Sequence, residues 1–545
     1  MLAAGSLTKI EKEGPLMNLT EQQKGIIDSV GKDNRIKINA FAGTGKTSTL
    51  IEIASAYPAI KFLYLAFNKS IADEAKKKFT RNVDVMTTHS MAFRHTRNAL
   101  ELKEVRGDYK ARELMDILDI SDWGVADFIN NVFAEYCYSS CNSLSLEAIS
   151  SLIEGNSKLI LSYNAISRRL LSMDNPYVLE MVEAFFKKLL DKGIKPTHNF
   201  YLKYFQLNIR KYKVLMPYAA VMLDEAQDTN PATLAIFEAL PGKKIIVGDA
   251  HQAIYGFRRS TNAMLGFKAD SQHYLSTSFR IPRSVAQKSS DLLKSFKGET
   301  ETIRSVKEES HDTSDTCHIT RTNAQLIEIM DELDDADVVF KTVRNPEGIF
   351  RLPISLYLFR LASDTGNSEI KKQIKETWLN YFSSFDEIKN YADVVNDVEL
   401  KSSVKLVEKF GQRILSLETL AKNNVYAQDA TDFLTTAHTS KGLEWEHVVV
   451  YDDFPNVLDI MAKKGITSID TFRNAVTDPE AGDMVRNIGE EINLFYVAMT
   501  RAKKMLSVQS ANEQYIGKSD SELDEILVEL YEKHNDESRM RLGIC

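Results

Sequence analysis

Cysteine is scarce: Cys137, Cys141, Cys317 and Cys545 are the only four in 545 residues. So few and so scattered a set cannot build the disulfide framework of a small secreted domain, and it suits a reducing compartment. Nor does any apolar run approach the roughly 18 residues of a membrane-spanning helix. The opening residues MLAAGSLTKIEKEGPL lack the apolar centre of a secretory signal and read as an exposed leader, or as a non-native remnant, ahead of Met17. Excess positive charge is missing as well. With 68 Lys and Arg against 76 Asp and Glu the net charge is −8, which excludes gripping nucleic acid by bulk charge but not by a local basic groove. The expected location is intracellular, in the cytoplasm, with the nucleus left open and no membrane association.

What is present is ordinary for a globular chain: 43% hydrophobic and 26% charged residues, in a length too great for one core. The segment RIKINAF (35–41) alternates polar and apolar residues, then enters a Gly/Thr turn and a helix-like stretch. Apolar runs recur at KFLYLAF (61–67), AAVML (219–223) and KIIV (244–247), each followed by polar residues, as in the parallel strands of an α/β sheet. Between about 96 and 214 this gives way to Leu, Phe and Tyr at three-to-four spacing, an inserted helical domain. A second α/β set follows, with strands at TCHIT (316–320), EHVVVY (446–451) and KMLSV (504–508) and a helix over about 488–502. The charged stretch 363–430 reads as a small second insertion, 298–315 as an exposed polar loop, and the region after 516 as a short acidic helix with a loose end. Cys137 and Cys141 stand four apart without further ligands nearby, and read as helix residues rather than a metal site.

The sharpest chemical signal is AFAGTGKT (40–47), a P-loop with Ala at its first position. Curling backbone N–H groups around phosphate oxygens requires residues such as Gly43 and Gly45. Lys46 would reach the β- and γ-phosphates and the Thr47 hydroxyl would hold Mg²⁺, with the positive end of the following helix beneath the same anion. Asp224 and Glu225 follow the strand AAVML directly. One carboxylate beside a phosphate-bound Mg²⁺ serves as metal ligand and a second orients the attacking water; Asp224 takes the first role and Glu225 the second.

The succession of motifs resembles superfamily 1 helicases of the UvrD/Rep/PcrA class and, in wording, their F-box-type DNA helicase branch, although no F-box segment is recognisable. LTEQQ (19–23), the P-loop and LDEAQD (223–228) are followed by GDAHQAIYGFR (248–258), LSTSFR (275–280), TTAHTSKGLEW (435–445) and NLFYVAMTRA (493–502). The resemblance implies an α/β fold of two RecA-like, parallel-sheet P-loop lobes with two mainly helical insertions. The first lobe would take residues 17–95 and 215–283, the helical insertion 96–214, the second lobe 284–362 and 431–515, a reduced insertion 363–430, and the tail 516–545. It also implies ATP and Mg²⁺, bound in the cleft between lobes. Gln23 would read adenine, whose N6/N7 edge suits one amide, and Phe279 would stack on it. Ala42, Gly43, Thr44, Gly45, Lys46, Thr47 and Ser48 would cradle the phosphates. Arg280 and Arg501 would contact the γ-phosphate, Gln252 would sense it, and Glu444 would lie near the sugar.

The same resemblance implies a 3′-to-5′ motor on single-stranded DNA, acting at duplex junctions. Tyr255, Phe257 and Arg258 would grip the strand just after Gln252, by stacking and phosphate contact. Lys69, His89, Arg321 and His438 match further strand-contacting positions. Phe67 departs from the usual spacing, one residue shorter before Asn68, and its base-contacting role is set aside. Lys187, Lys188, Lys192, Lys195, Lys203, Arg210, Lys211 and Lys213 form either a basic face for DNA or a solvated helix face. The competing reading is a DNA-binding P-loop ATPase that works as a switch, recruitment factor or protein-displacing translocase without robust unwinding, since the second insertion spans only about 70 residues. About 35 residues follow the last motif strand, too few for a nuclease domain, so any nuclease or repair partner would be a separate chain.

Overall fold

The central runs 62–66, 220–223 and 243–248 are strands buried on both faces, and this explains their nearly uninterrupted apolar sequence, whereas 35–40 alternates. In the computed structural model, which describes residues 19–170, 173–256, 260–376, 378–379, 382–395, 397–478 and 482–541, contacts divide the chain into two units. One holds residues up to 41 together with 45–275, and the other holds residues 42–44 and those from 276 onward.

The first unit builds a six-stranded sheet from β1 (Arg35–Ala40), β2 (Phe62–Ala66), β3 (Val83–Thr87), β4 (Ala220–Leu223), β5 (Lys243–Gly248) and β6 (Ser271–Leu275). All pairings are parallel, in the order β3-β2-β4-β5-β1-β6. Alternate side chains enter two cores. Phe62, Tyr64, Met222, Ile245 and Val247 pack on one face with Ile26, Ile53 and Ile38. Leu63, Leu65, Val221, Leu223 and Ile246 pack on the other. That second core runs on without a break into the helices of the 96–214 region, through Phe128, Val132, Phe133, Phe185, Phe200 and Phe205. The helical insertion is thus welded to the sheet. Strands β4, β5 and β1 are neighbours, so their carboxyl ends bring Asp224, Asp249 and the P-loop to one rim, where ligands of open parallel sheets bind.

The second unit carries a five-stranded parallel sheet. Numbering its strands onward, β7 (Thr277–Pro282) and β8 (Arg304–Lys307) pair with each other, while β9 (Thr316–Thr320), β10 (Phe340–Thr342), β11 (Asp432–Thr436), β12 (Trp445–Val450) and β13 (Ala502–Val508) are ordered β10-β11-β9-β12-β13. The sequence anticipates β9, β12 and β13 but not β8, which lies inside the expected loop at 298–315. Its side chains are mostly exposed and polar, so only backbone pairing with β7 makes it a strand. Helices Phe385–Val395, Val398–Phe410 and Arg413–Asn424 of the small insertion share one core with Asn323–Asp335, Pro346–Thr365 and Leu434. The final helix, Asp520–Arg541, is long rather than short, and anchors through Leu523 and Leu527. No described helix is long and apolar enough to cross a membrane.

One lysine counted above toward a basic face is not on the surface. Lys203 is 0% exposed; its ammonium donates to the carbonyls of Ser139 and Cys141 and lies 4.3 Å from the centre of the Tyr136 ring. Lys192 and Lys195 are paired with Glu101 and Glu104. Cys137 is buried in helix Trp123–Tyr138, and Cys141 contributes the carbonyl that Lys203 needs.

Burial pushes the Lys203 ammonium down to about 8, against the partial opposition of the cysteine sulfurs. Between pH 8 and the ordinary lysine range the unfolded chain therefore holds one proton more than the folded one, and stability rises with pH there. The Lys203→Met variant should lose this rise, of at most about 1.4 kcal/mol per pH unit. Thermal midpoints of variant and parent, compared from pH 7 to 10, test it; parallel curves would contradict the assignment.

Candidate functional site

Gly45 sits in the left-handed region (φ 82°) and caps helix Lys46–Ala56 without a side-chain hydrogen bond. The first N–H groups of any helix lack intrahelical acceptors, so this end, with Lys46, Thr47 and Ser48 in its first turn, is disposed to meet an anion. Gln23 stands beside it. Its backbone N–H and side chain form a capping box with Thr20, and its Nε2 donates to Thr49 Oγ1 at 3.1 Å.

Lys46 Nζ meets the Glu225 carboxylate at 2.9 Å. Burial works against the ammonium, but Glu225, Asp224 and Asp249 outweigh it and hold the Lys46 pKa above its ordinary value. Asp224 is buried, accepts a short hydrogen bond from the Tyr64 hydroxyl, and accepts the Glu225 N–H at 2.9 Å. Burial and the adjacent Glu225 charge raise the Asp224 pKa, with Lys46 and Tyr64 opposing. Glu225 itself adopts φ 50°, a left-handed conformation that a non-glycine residue rarely takes and that turns its side chain back toward Lys46. Asp249, also buried and with a raised pKa, accepts from the Gln252 amide at 2.8 Å. Lys46, Asp224, Glu225 and Gln252 are therefore gathered around one rim.

Within the second unit, the Ala42 carbonyl accepts from Ser278 Oγ at 2.8 Å, the Phe279 N–H donates to the Gly43 carbonyl at 2.9 Å, and the Ala42 N–H donates to the Tyr496 hydroxyl at 3.2 Å. Phe279 is 45% exposed. Arg280 is paired with Glu444 at 2.7 Å. Arg501 is 1% exposed, and its guanidinium donates to the carbonyls of Val497 and Leu443 and to Thr500 Oγ1. The structure thus joins Arg280 to Glu444, and engages Arg501 in the framework at the end of helix Asp483–Met499.

Among the strand-contact candidates, Tyr255 stacks parallel to Phe67, with centroids 6.3 Å apart and planes 7° from parallel. Phe67, set aside in the sequence, is 43% exposed. Lys69 is exposed at the first position of helix Lys69–Lys78, capped by Asn68. His89 lies edge-on to Tyr201; burial and nearby His198 push its pKa down to about 4, so it is neutral at physiological pH. Arg321 forms a bidentate pair with Glu491 at 2.6–3.1 Å, with both side chains largely buried. His438 is half-buried in the short helix Ala437–Ser440. Phe257 and Arg258 lie outside the described residues.

Two family comparisons bear on this site. The UvrD/REP helicase N-terminal domain matches residues 19–272, and the UvrD-like helicase C-terminal domain matches residues 353–513. The chain belongs to the UvrD-like helicase family. The N-terminal match takes in Gln23, the P-loop, Asp224, Glu225, Gln252 and Tyr255, and the C-terminal one His438, Glu444 and Arg501. Similar proteins include F-box DNA helicase 1 of Gallus gallus, 27% identical over 92% of this chain and 50% of that protein. F-box DNA helicase protein 1 of Schizosaccharomyces pombe is 29% identical over 90% of this chain and 57% of that protein. This UvrD-like chain spans only about half the length of those relatives.

Tyr64, Gln227, Asp249, Ser278 and Tyr496 escaped the sequence reading, although all but Tyr64 lie inside quoted motifs. Nothing local marks Tyr64: it is one apolar-looking residue in a buried strand. Gly43 yields the sharpest structural test. At φ 71°, a Cβ there would stand 2.4 Å from Arg280 Cβ and 2.7 Å from Ser278 Oγ. Gly43→Ala should cost about 1–3 kcal/mol of stability and weaken nucleotide binding. Gly25→Ala, in a helix with nothing within 4 Å of the new methyl, should be neutral or stabilising by about 0.5–1 kcal/mol. Thermal denaturation and a fluorescent-nucleotide titration of both variants check this.

Proposed function

We propose that this chain is an ATP-dependent single-stranded DNA translocase and DNA helicase that travels 3′ to 5′ and acts at duplex junctions. The observation that carries the reading is the Lys46–Glu225 pair at 2.9 Å beside buried Asp224, at the rim that also holds the P-loop helix end. Lys46 already holds an anionic oxygen there, as it would a phosphate. Three carboxylates, Asp224, Glu225 and Asp249, surround this one ammonium, and the excess negative charge fits a divalent cation. No cage of three or more such ligands exists among the described residues, and Mg²⁺ in phosphoryl-transfer sites uses one or two protein ligands plus substrate phosphates. Thr47 and Asp224 would hold it. When bound, Mg²⁺ supplies charge neutralisation to the phosphoryl oxygens.

The chain's own groups then have separable tasks. The P-loop backbone and Lys46 bind the phosphates of ATP, Gln23 and Phe279 the adenine, and Arg280 the transferring group, which Arg501 would reach only on leaving its bonds to Val497, Leu443 and Thr500. Glu225 orients the attacking water and takes up its proton. The Phe67–Tyr255 pair offers aromatic faces for bases, Lys69 a phosphate contact, and neutral His89 a hydrogen bond rather than a charge. Residues 363–430 are read as a reduced insertion. With only about 70 residues there, a second reading is translocation or protein displacement with weak unwinding. The F-box of the relatives' names is not carried over to this chain.

ATP hydrolysis measured with and without oligo-dT decides the main claim. Lys46→Ala should abolish turnover, whereas Glu225→Gln should bind ATP with Mg²⁺ yet turn over about 10²–10⁴-fold more slowly. Tyr255→Ala should keep basal hydrolysis but lose most of its stimulation by DNA, with stacking of ~1–3 kcal/mol per base removed. Forked duplexes with a 3′ or a 5′ tail separate the two readings and the polarity. Hydrolysis that survives Lys46→Ala, or that ignores DNA in the parent chain, would sink the proposal.

A further inference from the structure

The carboxamide of Gln227 ties three parts of this rim together. Gln227 is fully buried in the turn Ala226–Asp228 after β4. Its Nε2 donates to Glu225 Oε2 at 2.6 Å and to Asp228 Oδ2 at 3.0 Å, and its Oε1 accepts the Asp249 N–H at 3.2 Å. The direction of the amide follows from its partners: two carboxylates require the NH₂ end, and a backbone N–H requires the carbonyl end. Glu at this position would face two carboxylates with an acceptor, Leu would satisfy none of the three groups, and Asn is one methylene short. Gly248 provides the room, because a Cβ there would lie 2.4 Å from Gln227 Oε1. Asp249 accepts from Gln252, so hydrogen bonds run from Glu225 through Gln227 and Asp249 to Gln252, three residues before Tyr255.

We propose that Gln227 is a positioning residue that holds the Glu225 carboxylate in place when Lys46 turns from Glu225 to phosphate, and links that carboxylate to the segment carrying Gln252 and Tyr255. The inference rests on the reading of Glu225 as the group that orients water. In the ion pair of Lys46 with Glu225, the ammonium is the partner that a phosphate would draw away. The Gln227 N–H is neutral, is set by a buried turn, and stays. A carboxylate so held keeps one orientation instead of sampling several, which is the condition for directing a water.

The test uses the full chain with Gln227→Leu and Gln227→Glu, and reads kcat and KM for ATP under saturating oligo-dT beside the affinity for a fluorescent ADP analogue. Both variants should lower kcat about 10–100-fold while KM and nucleotide affinity move less than about threefold. Placed in the Glu225→Gln background, Gln227→Glu should lower kcat no further, because it acts through Glu225. Parental kcat in Gln227→Leu, which offers no donor to Glu225 and no acceptor to Asp249, would overturn the proposal. So would a loss of nucleotide affinity in step with kcat, the mark of a merely structural residue. If circular dichroism shows that one variant does not fold, the other carries the comparison. A parent chain without ATPase activity, or a Glu225→Gln variant with parental kcat, defeats the functional reading, and this inference with it.

Discussion

A single ammonium among three carboxylates is the interaction on which the nucleotide rim depends. Burial pulls the Lys46 pKa down and pushes those of Asp224 and Asp249 up; the carboxylates oppose the first effect and the Lys46 charge opposes the second. The balance leaves a surplus of negative charge held at fixed positions, close to the end of a helix whose N–H groups face the opposite way in charge. Such a rim is poised to exchange partners. On the proposed reading, an incoming phosphate would take the ammonium and a divalent cation the surplus.

That arrangement depends on strand order. Asp224 and Asp249 are 25 positions apart, and Lys46 nearly 180 positions before Asp224, yet β4, β5 and β1 lie side by side with all strands pointing one way. Parallel pairing demands that both faces be covered, and the helices around Ile26 and Ile53 cover one while the 96–214 helices cover the other. The long helical insertion is therefore part of what keeps the sheet buried, as well as a surface in its own right.

Buried cations recur elsewhere, each answered differently. Arg321 is met by Glu491 in bidentate geometry, Arg501 by backbone carbonyls and a hydroxyl, and Lys203 by carbonyls and an aromatic face. A guanidinium can serve several carbonyls without losing its charge, whereas a buried ammonium with no carboxylate beside it has its pKa lowered. This difference is why Lys203 alone among the three gives a pH-dependent stability in the range above 8.

The local sequence by itself determined the strand–loop–helix at 35–56, the run of parallel strands, the position of the carboxylate pair after β4, and the family-like order of motifs. These are set by period-two burial, by glycine at φ > 0, and by residues adjacent in the chain, all of which are visible in a linear string. Only the tertiary structure decided that Glu225 adopts a left-handed turn onto Lys46, that Tyr64 bonds Asp224, that Phe67 faces Tyr255, and that Gln227 bridges two strand ends. Only it removed Lys203 from the basic face and gave β8 a partner. Each of these depends on which residues meet across strands far apart in the chain, and a residue's type carries no record of the partner that folding brings to it.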